Sequence, residues 1–316
     1  MSTCAKVSRD LAEPLAGTAA TARTWLLVEQ PGPWGADALT SSHLDPMLGR
    51  ALEQAAEGTG VRIALIRRPG RHADCHTVAE RQVYAAHTTP GNVWLRNATT
   101  SDPEQLLTLD FAELGRGLPA TFDTTLDGRP HTGDPLALVC TNGKRDRCCA
   151  LLGRPLAAEL AASGVRGAWE VTHLGGHRFS PTLLVLPFGY AYGRAEAHAV
   201  KEVLQGVREG RVVTEGCRGG SAWDRPGQAA ELAVRTAACV DAAGALSVVR
   251  TEGEAPRWEV TIAHTDGRHW LVTVAQGASS PPRAESCGSA LGSPARMDVT
   301  AVRELSPTAA MRPATR

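Results

Sequence analysis

The sequence has no net charge. Its 33 basic and 33 acidic residues balance, so charge points neither to nucleic acid nor to an anionic membrane as a partner. Lysine is scarce: Lys6, Lys144 and Lys201 are the three in 316 residues, and arginine carries the rest of the basic charge. No run approaches the ~18 apolar residues of a membrane-spanning helix. No early apolar segment has the length and flanks of a signal peptide. The chain therefore reads as soluble and cytoplasmic, where thiols stay reduced. Also missing are a Gly-x-Ser-x-Gly elbow, a phosphate loop, a dinucleotide fingerprint and a Cys-x-x-Cys redox pair. The eight cysteines are scattered through a chain too large to need a disulfide framework.

What is present centres on residues 136–177. Leu136, Leu138 and Val139 form a short apolar run that ends at Cys140; Cys148 and Cys149 follow eight and nine residues later. Trp169 to Thr172 alternate apolar and polar, a strand signal, and lead into His173-Leu-Gly-Gly-His177. Two central glycines would cost a helix about 2 kcal/mol against alanine, so the histidine pair belongs on a loop. That sets it apart from the helical His-Glu-x-x-His pair of a zinc protease. Two strand ends thus each deliver a pair of thiols or imidazoles, a donor set suited to a transition metal. The separation of Cys140 from Cys149 is wider than the two to five residues usual between ligands in zinc fingers. An iron–sulfur cluster is favoured, and a structural zinc site stays open.

Cys140-Thr-Asn-Gly-Lys-Arg-Asp-Arg-Cys-Cys149 followed by His173-Leu-Gly-Gly-His-Arg-Phe179 resembles the sucrase/ferredoxin-like family. Similarity extends to Glu13–Thr18, to Trp25–Trp34 and to Ser286-Cys-Gly288. The resemblance implies a thioredoxin-like fold and a [2Fe–2S] cluster held by Cys140, Cys149, His173 and His177. The family spacing selects Cys149 over Cys148. The two cysteines would sit on one iron and the two histidines on the other. Ser180-Pro181-Thr182 stands where some members of the wider group carry Ala-Gly-Asn, a departure that touches no ligand. The function implied is one-electron transfer or redox sensing with a redox partner protein, more than an enzyme with its own substrate. Lys144, Arg145 and Arg147 would offer that partner, an acidic reductase, a docking face. The readings from other classes are a structural zinc Cys2His2 binding module and a thiol-dependent reductase using Cys148 or Cys149. His72, Cys75 and His76 form a lesser candidate metal cluster, and Cys4, Cys217 and Cys239 read as incidental small residues.

Along the chain, 1–22 reads as an N-terminal arm. Residues 23–116 run strand, helix, strand, strand, strand, helix, and 130–215 repeat much of that order with the ligands added. The expected fold is α/β (α+β): a thioredoxin-like mixed sheet flanked by helices, in two units, the first without a cluster. A single larger sheet is the alternative that periodicity cannot separate. Residues 216–276 begin with a polar, Gly-rich link and continue as a helix and three antiparallel strands. Residues 277–316, rich in Pro, Ser, Ala and Gly, read as a disordered tail.

Overall fold

In the computed structural model, which describes residues 3–70 and 79–306, a short helix α1 (Cys4–Asp10) precedes β1 (Thr24–Glu29). The run Trp25-Leu-Leu-Val28 makes β1 a central strand, buried on both faces. A parallel neighbour requires a crossover. Helix α2 (Pro46–Ala56) supplies it, and β2 (Val61–Arg67) then lies parallel to β1. β3 (Arg81–His87) pairs antiparallel with the other edge of β1, and β4 (Trp94–Thr100) with β3. Where one helix was expected over 103–114, a 3₁₀ turn ends at Thr108 and α3 (Phe111–Gly115) begins afresh. Asp110 interrupts the run as a cap, its carboxylate accepting from the Glu113 N–H at 2.8 Å. α4 (Ala120–Leu126) and β5 (Arg129–Pro130) complete this half.

The second half repeats the pattern. β6 (Leu136–Cys140) crosses through α5 (Arg154–Ala162) to the parallel β7 (Ala168–Val171). β8 (Leu183–Leu186) pairs antiparallel with β6, and β9 (Tyr190–Tyr192) with β8. α6 (Ala197–Arg208) and β10 (Cys217–Gly220) follow. The order β2-β1-β3-β4 thus recurs as β7-β6-β8-β9. Both copies lie in one ten-stranded sheet, β10-β9-β8-β6-β7-β2-β1-β3-β4-β5. The two segments therefore share the larger mixed sheet that the sequence left as its alternative. They join through two residue pairs of β2 and β7, Ile66 with Val171 and Arg67 with Glu170. Arg67 fastens the joint, donating to Glu170 Oε2 at 2.9 and 2.7 Å.

Strand alternation decides which side chains meet. Leu26 and Val28 face α2, α3 and α4; Ala137 and Val139 face α5 and α6. Trp25 and Leu27 from β1 join Leu136, Leu138 and Cys140 from β6 in a core common to both halves. Cys140 has the parity of Leu136 and Leu138, so its thiol enters this shared core.

Three expectations about the periphery change. The N-terminal arm is docked: Cys4, Ala5 and Ser8 of α1 are buried, as is Glu13, which pairs with Arg178 at 2.8 Å and Arg283 at 3.1 Å. The Gly-rich link is the buried edge strand β10, its glycines having masked a strand. Of the expected tail, the described residues 277–306 are ordered. α7 (Arg225–Ala238), β11 (Leu246–Glu254), β12 (Arg257–His264) and β13 (His269–Ala278) are followed by a small hairpin, β14 (Arg283–Ala284) and β15 (Leu291–Gly292). β16 (Ala295–Leu305) then pairs with β13 and makes a four-stranded antiparallel sheet. The Pro-, Ser- and Gly-rich residues before β16 form the small hairpin and the loops around it; Met297 and Val299 pack into the core under the sheet. No helix among the described residues is long and apolar enough to cross a membrane.

Candidate metal centre

Cys140 ends β6, where its carbonyl is approached so closely that a Cβ on Gly153 would lie 2.1 Å from it. Glycine there lets the start of α5 pack against the strand end. Between them the chain turns on Asn142. Its side chain accepts from the Lys144 and Arg145 N–H groups at 3.2 and 3.4 Å and donates to Gly35 O at 2.9 Å. Cys149 opens a π-helical turn, Cys149–Gly153, ahead of α5; such turns recur at functional sites. The neighbouring parallel strand β7 delivers His173 two residues past its end, with the Thr141 N–H bonded to Val171 O at 3.2 Å. Gly175 and Gly176 both take left-handed backbone conformations, φ +74° and +70°, and fold the loop back so that His177 faces His173.

The four predicted residues come together. The imidazoles of His173 and His177 stack with centroids 4.3 Å apart. Cys149 Sγ lies 3.6 Å from His177 Nδ1. Cys140 neighbours Cys149 and His173, which completes the group of four donors. Both thiols are buried and both imidazoles half-buried. The thiols titrate as a pair. The bond from Cys149, with His173 beside it, holds Cys140 well below the usual thiol range, while that bond and burial push Cys149 up. Burial, reinforced by His173, holds His177 down at about 4, in its neutral form.

Two arginines that sequence reasoning missed support the histidine loop. Arg62, on β2, donates to His173 O at 3.0 Å. Arg218, on β10, is fully buried; it donates to Gly175 O and to Thr18 Oγ1, each at 3.1 Å, and also to Thr18 O. Burial lowers the Arg218 pKa to about 10, and the Cys140 and Cys149 sulfurs oppose that fall. Arg218 went unnoticed because Arg-Gly-Gly reads as a linker when its pairing with β9 is unknown.

Cys148 does not join its neighbour. Successive residues point different ways, and the Cys148 thiol meets Cys4 at 3.5 Å and Cys287 at 3.3 Å, with Cys287 and Cys4 3.5 Å apart. Asp146 lies beside them. Cys4, Asp146, Cys148 and Cys287 could hold a metal ion: all four donor atoms lie within 4.8 Å of one another, the only group so compact among the described residues. The sequence signalled Cys287 through Ser-Cys-Gly, but separations of more than 130 residues hid its partners. His72, Cys75 and His76 lie outside the described residues.

A sequence model of the sucrase/ferredoxin-like family matches residues 15–219. The chain belongs to the sucrase/ferredoxin-like family. The match takes in nearly all of the ten-stranded sheet and the four residues of the first site. In this family member Cys4 and Cys287 lie outside the matched segment, while Asp146 and Cys148 lie within it. Neither the curated proteins nor the solved structures give a match.

Proposed function

We propose that Cys140, Cys149, His173 and His177 hold a [2Fe–2S] cluster and that the protein is a one-electron carrier or redox sensor built on two thioredoxin-like units. The observation that carries this reading is the open ring of donors, with two thiols inside and two imidazoles at the rim. A single tetrahedral zinc ion bonded at about 2.0–2.3 Å requires all four donors in mutual contact. That compactness belongs to the Cys4 group and not to this ring. A cluster with two irons takes a donor set of thiolate and neutral imidazole, which these residues provide. Among the described residues, the matching strand ends of the first unit carry no thiol or imidazole. Gln30 N donates to Ile66 O there, as Thr141 N does to Val171 O, which puts Glu29 and Arg68 where the second unit has Cys140 and His173.

When bound, such a cluster supplies a one-electron couple, less negative in charge than one ligated by four thiolates. The chain's own residues set its surroundings. Arg62 and Arg218 fix the carbonyls of the histidine loop and place two cations, one half-buried and one fully buried, near the sulfurs. The half-buried imidazoles form the edge through which electrons enter and leave. Lys144, Arg145 and Arg147 are exposed on the ligand loop and would dock an acidic reductase or acceptor. Buried Cys148 and Cys149 lack the partial exposure of a reactive thiol, which weighs against a thiol-dependent reductase. The described cysteines are all free, which suits a reducing compartment, and we place the protein in the cytoplasm.

Anaerobic purification with iron, acid-labile sulfide, visible and EPR measurements tests the reading. About two irons per chain are expected in wild type and in Cys148→Ser, with loss of most iron in Cys140→Ser and Cys149→Ser. Iron retained by Cys149→Ser, or wild type without iron, refutes it.

A further inference from the structure

We infer that Cys4, Cys148, Cys287 and Asp146 form a second, mononuclear metal site of the structural zinc class. The three thiols make a nearly equilateral triangle with edges of 3.3, 3.5 and 3.5 Å. A zinc ion bonded to each sulfur at about 2.3 Å would stand about 1.2 Å out of that plane, its three bonds drawn somewhat closer together than in a regular tetrahedron. The Asp146 carboxylate, 3.8 Å from Cys4 Sγ, closes the fourth corner. Sulfurs this close leave no room for a multi-iron body between them.

The surroundings are built for a ligand set. Asp146 is held by two backbone N–H groups, from Cys148 and Cys287, each at 2.7 Å. These bonds orient the carboxylate and leave it further lone pairs, the kind of outer support that metal ligands usually have. Cys4, Asp146 and Cys148 are buried, and Cys287 is half-buried. Cys287 opens on a cleft of about 580 Å³ that also meets Lys144, Arg145 and Arg147. That cleft is an entry path, and its cations offset the charge of three thiolates and a carboxylate. The four ligands come from three separated stretches: the N-terminal helix, the loop between Cys140 and Cys149, and the segment between β14 and β15. One ion would pin the first and last stretches to the middle one. It would also fix Cys148, and through the peptide bond Cys149, in the neighbouring site.

The inference is independent of the iron reading, because iron and zinc are counted separately. The full-length protein, purified under reducing conditions and supplied with Zn²⁺, should retain about one zinc per chain after gel filtration. Cys140→Ser/Cys149→Ser should keep that zinc, and Cys4→Ser/Cys287→Ser should lose it at least fivefold while iron is still bound. X-ray absorption at the zinc edge of wild type, which needs no variant to fold, should show three sulfurs near 2.3 Å and one oxygen near 2.0–2.2 Å. Zinc that survives Cys4→Ser/Cys287→Ser overturns the site. So does a reduced protein that binds no zinc, or one in which two of these thiols are joined as a disulfide.

Discussion

Gly175 and Gly176 allow a matched pair of substitutions in the histidine loop. Both have nearly the same left-handed φ, +74° and +70°, so alanine at either imposes the same backbone strain of about 1–2 kcal/mol. They differ only in what a new Cβ meets. At Gly175 nothing lies within 4 Å; at Gly176 it would sit 2.2 Å from Arg218 Nη2 and 3.1 Å from Phe179 Cδ2. A guanidinium can often swing aside, but Arg218 is buried and bonded to Thr18 and Gly175. Displacing it forfeits hydrogen bonds from a charged group, about 1.5–3 kcal/mol each. Gly175→Ala should therefore cost about 1–2 kcal/mol and Gly176→Ala about 3–5 kcal/mol. In thermal unfolding these correspond to a fall of roughly 2–3 °C against one of roughly 5–8 °C for a chain of this size. Gly176→Ala should also release iron faster in the presence of chelator, because His177 is the next residue. Equal effects of the two substitutions on melting and iron release would refute Arg218 as the support of the loop.

Arg235 donates to Glu231, to Tyr190 and to the carbonyls of Val240, Ala242 and Ala243, with both charged side chains fully buried. Arg235→Met should destabilise the chain by about 3–5 kcal/mol in urea, and Arg235→Met/Glu231→Leu should recover most of that loss. His87 is buried against Thr24, and burial holds its pKa at about 4. The unfolded chain takes up this proton near pH 6.5 and the folded chain only near 4, so stability is complete above 6.5 and falls as pH drops towards 4. The loss is on the order of 3 kcal/mol, and denaturation of His87→Gln across that window should show a correspondingly flatter profile. Glutamate at Lys144, Arg145 and Arg147 together should slow reduction by an acidic flavoprotein reductase about tenfold or more at low ionic strength. The difference should shrink in high salt; stopped-flow rates that ignore both charge and salt would remove the docking face.

Most strands were legible in the chain itself because their signals are local, and the grouping of Cys140, Cys149, His173 and His177 was legible through motifs that resemble the family's. A run such as Leu136–Val139 carries the signal of a buried strand within four residues, and two glycines between His173 and His177 weigh against a helix by about 2 kcal/mol. Alternation along β6 even fixes that Cys140 shares a face with Leu138. Tertiary structure decided what depends on distant partners. Whether two similar segments make two sheets or one rests on the two residue pairs between β2 and β7, which leave no periodicity to read. Arg218 became a support, and 295–305 a strand, only because β9 and β13 offered edges to pair with. Cys148 and Cys149 are adjacent and chemically alike; the turn at Asp146 sends one thiol towards Cys4 and Cys287 and the other towards His177. Sequence determines which donors a chain owns, whereas the meeting of residues 4, 148 and 287 exists only once the chain has closed on itself.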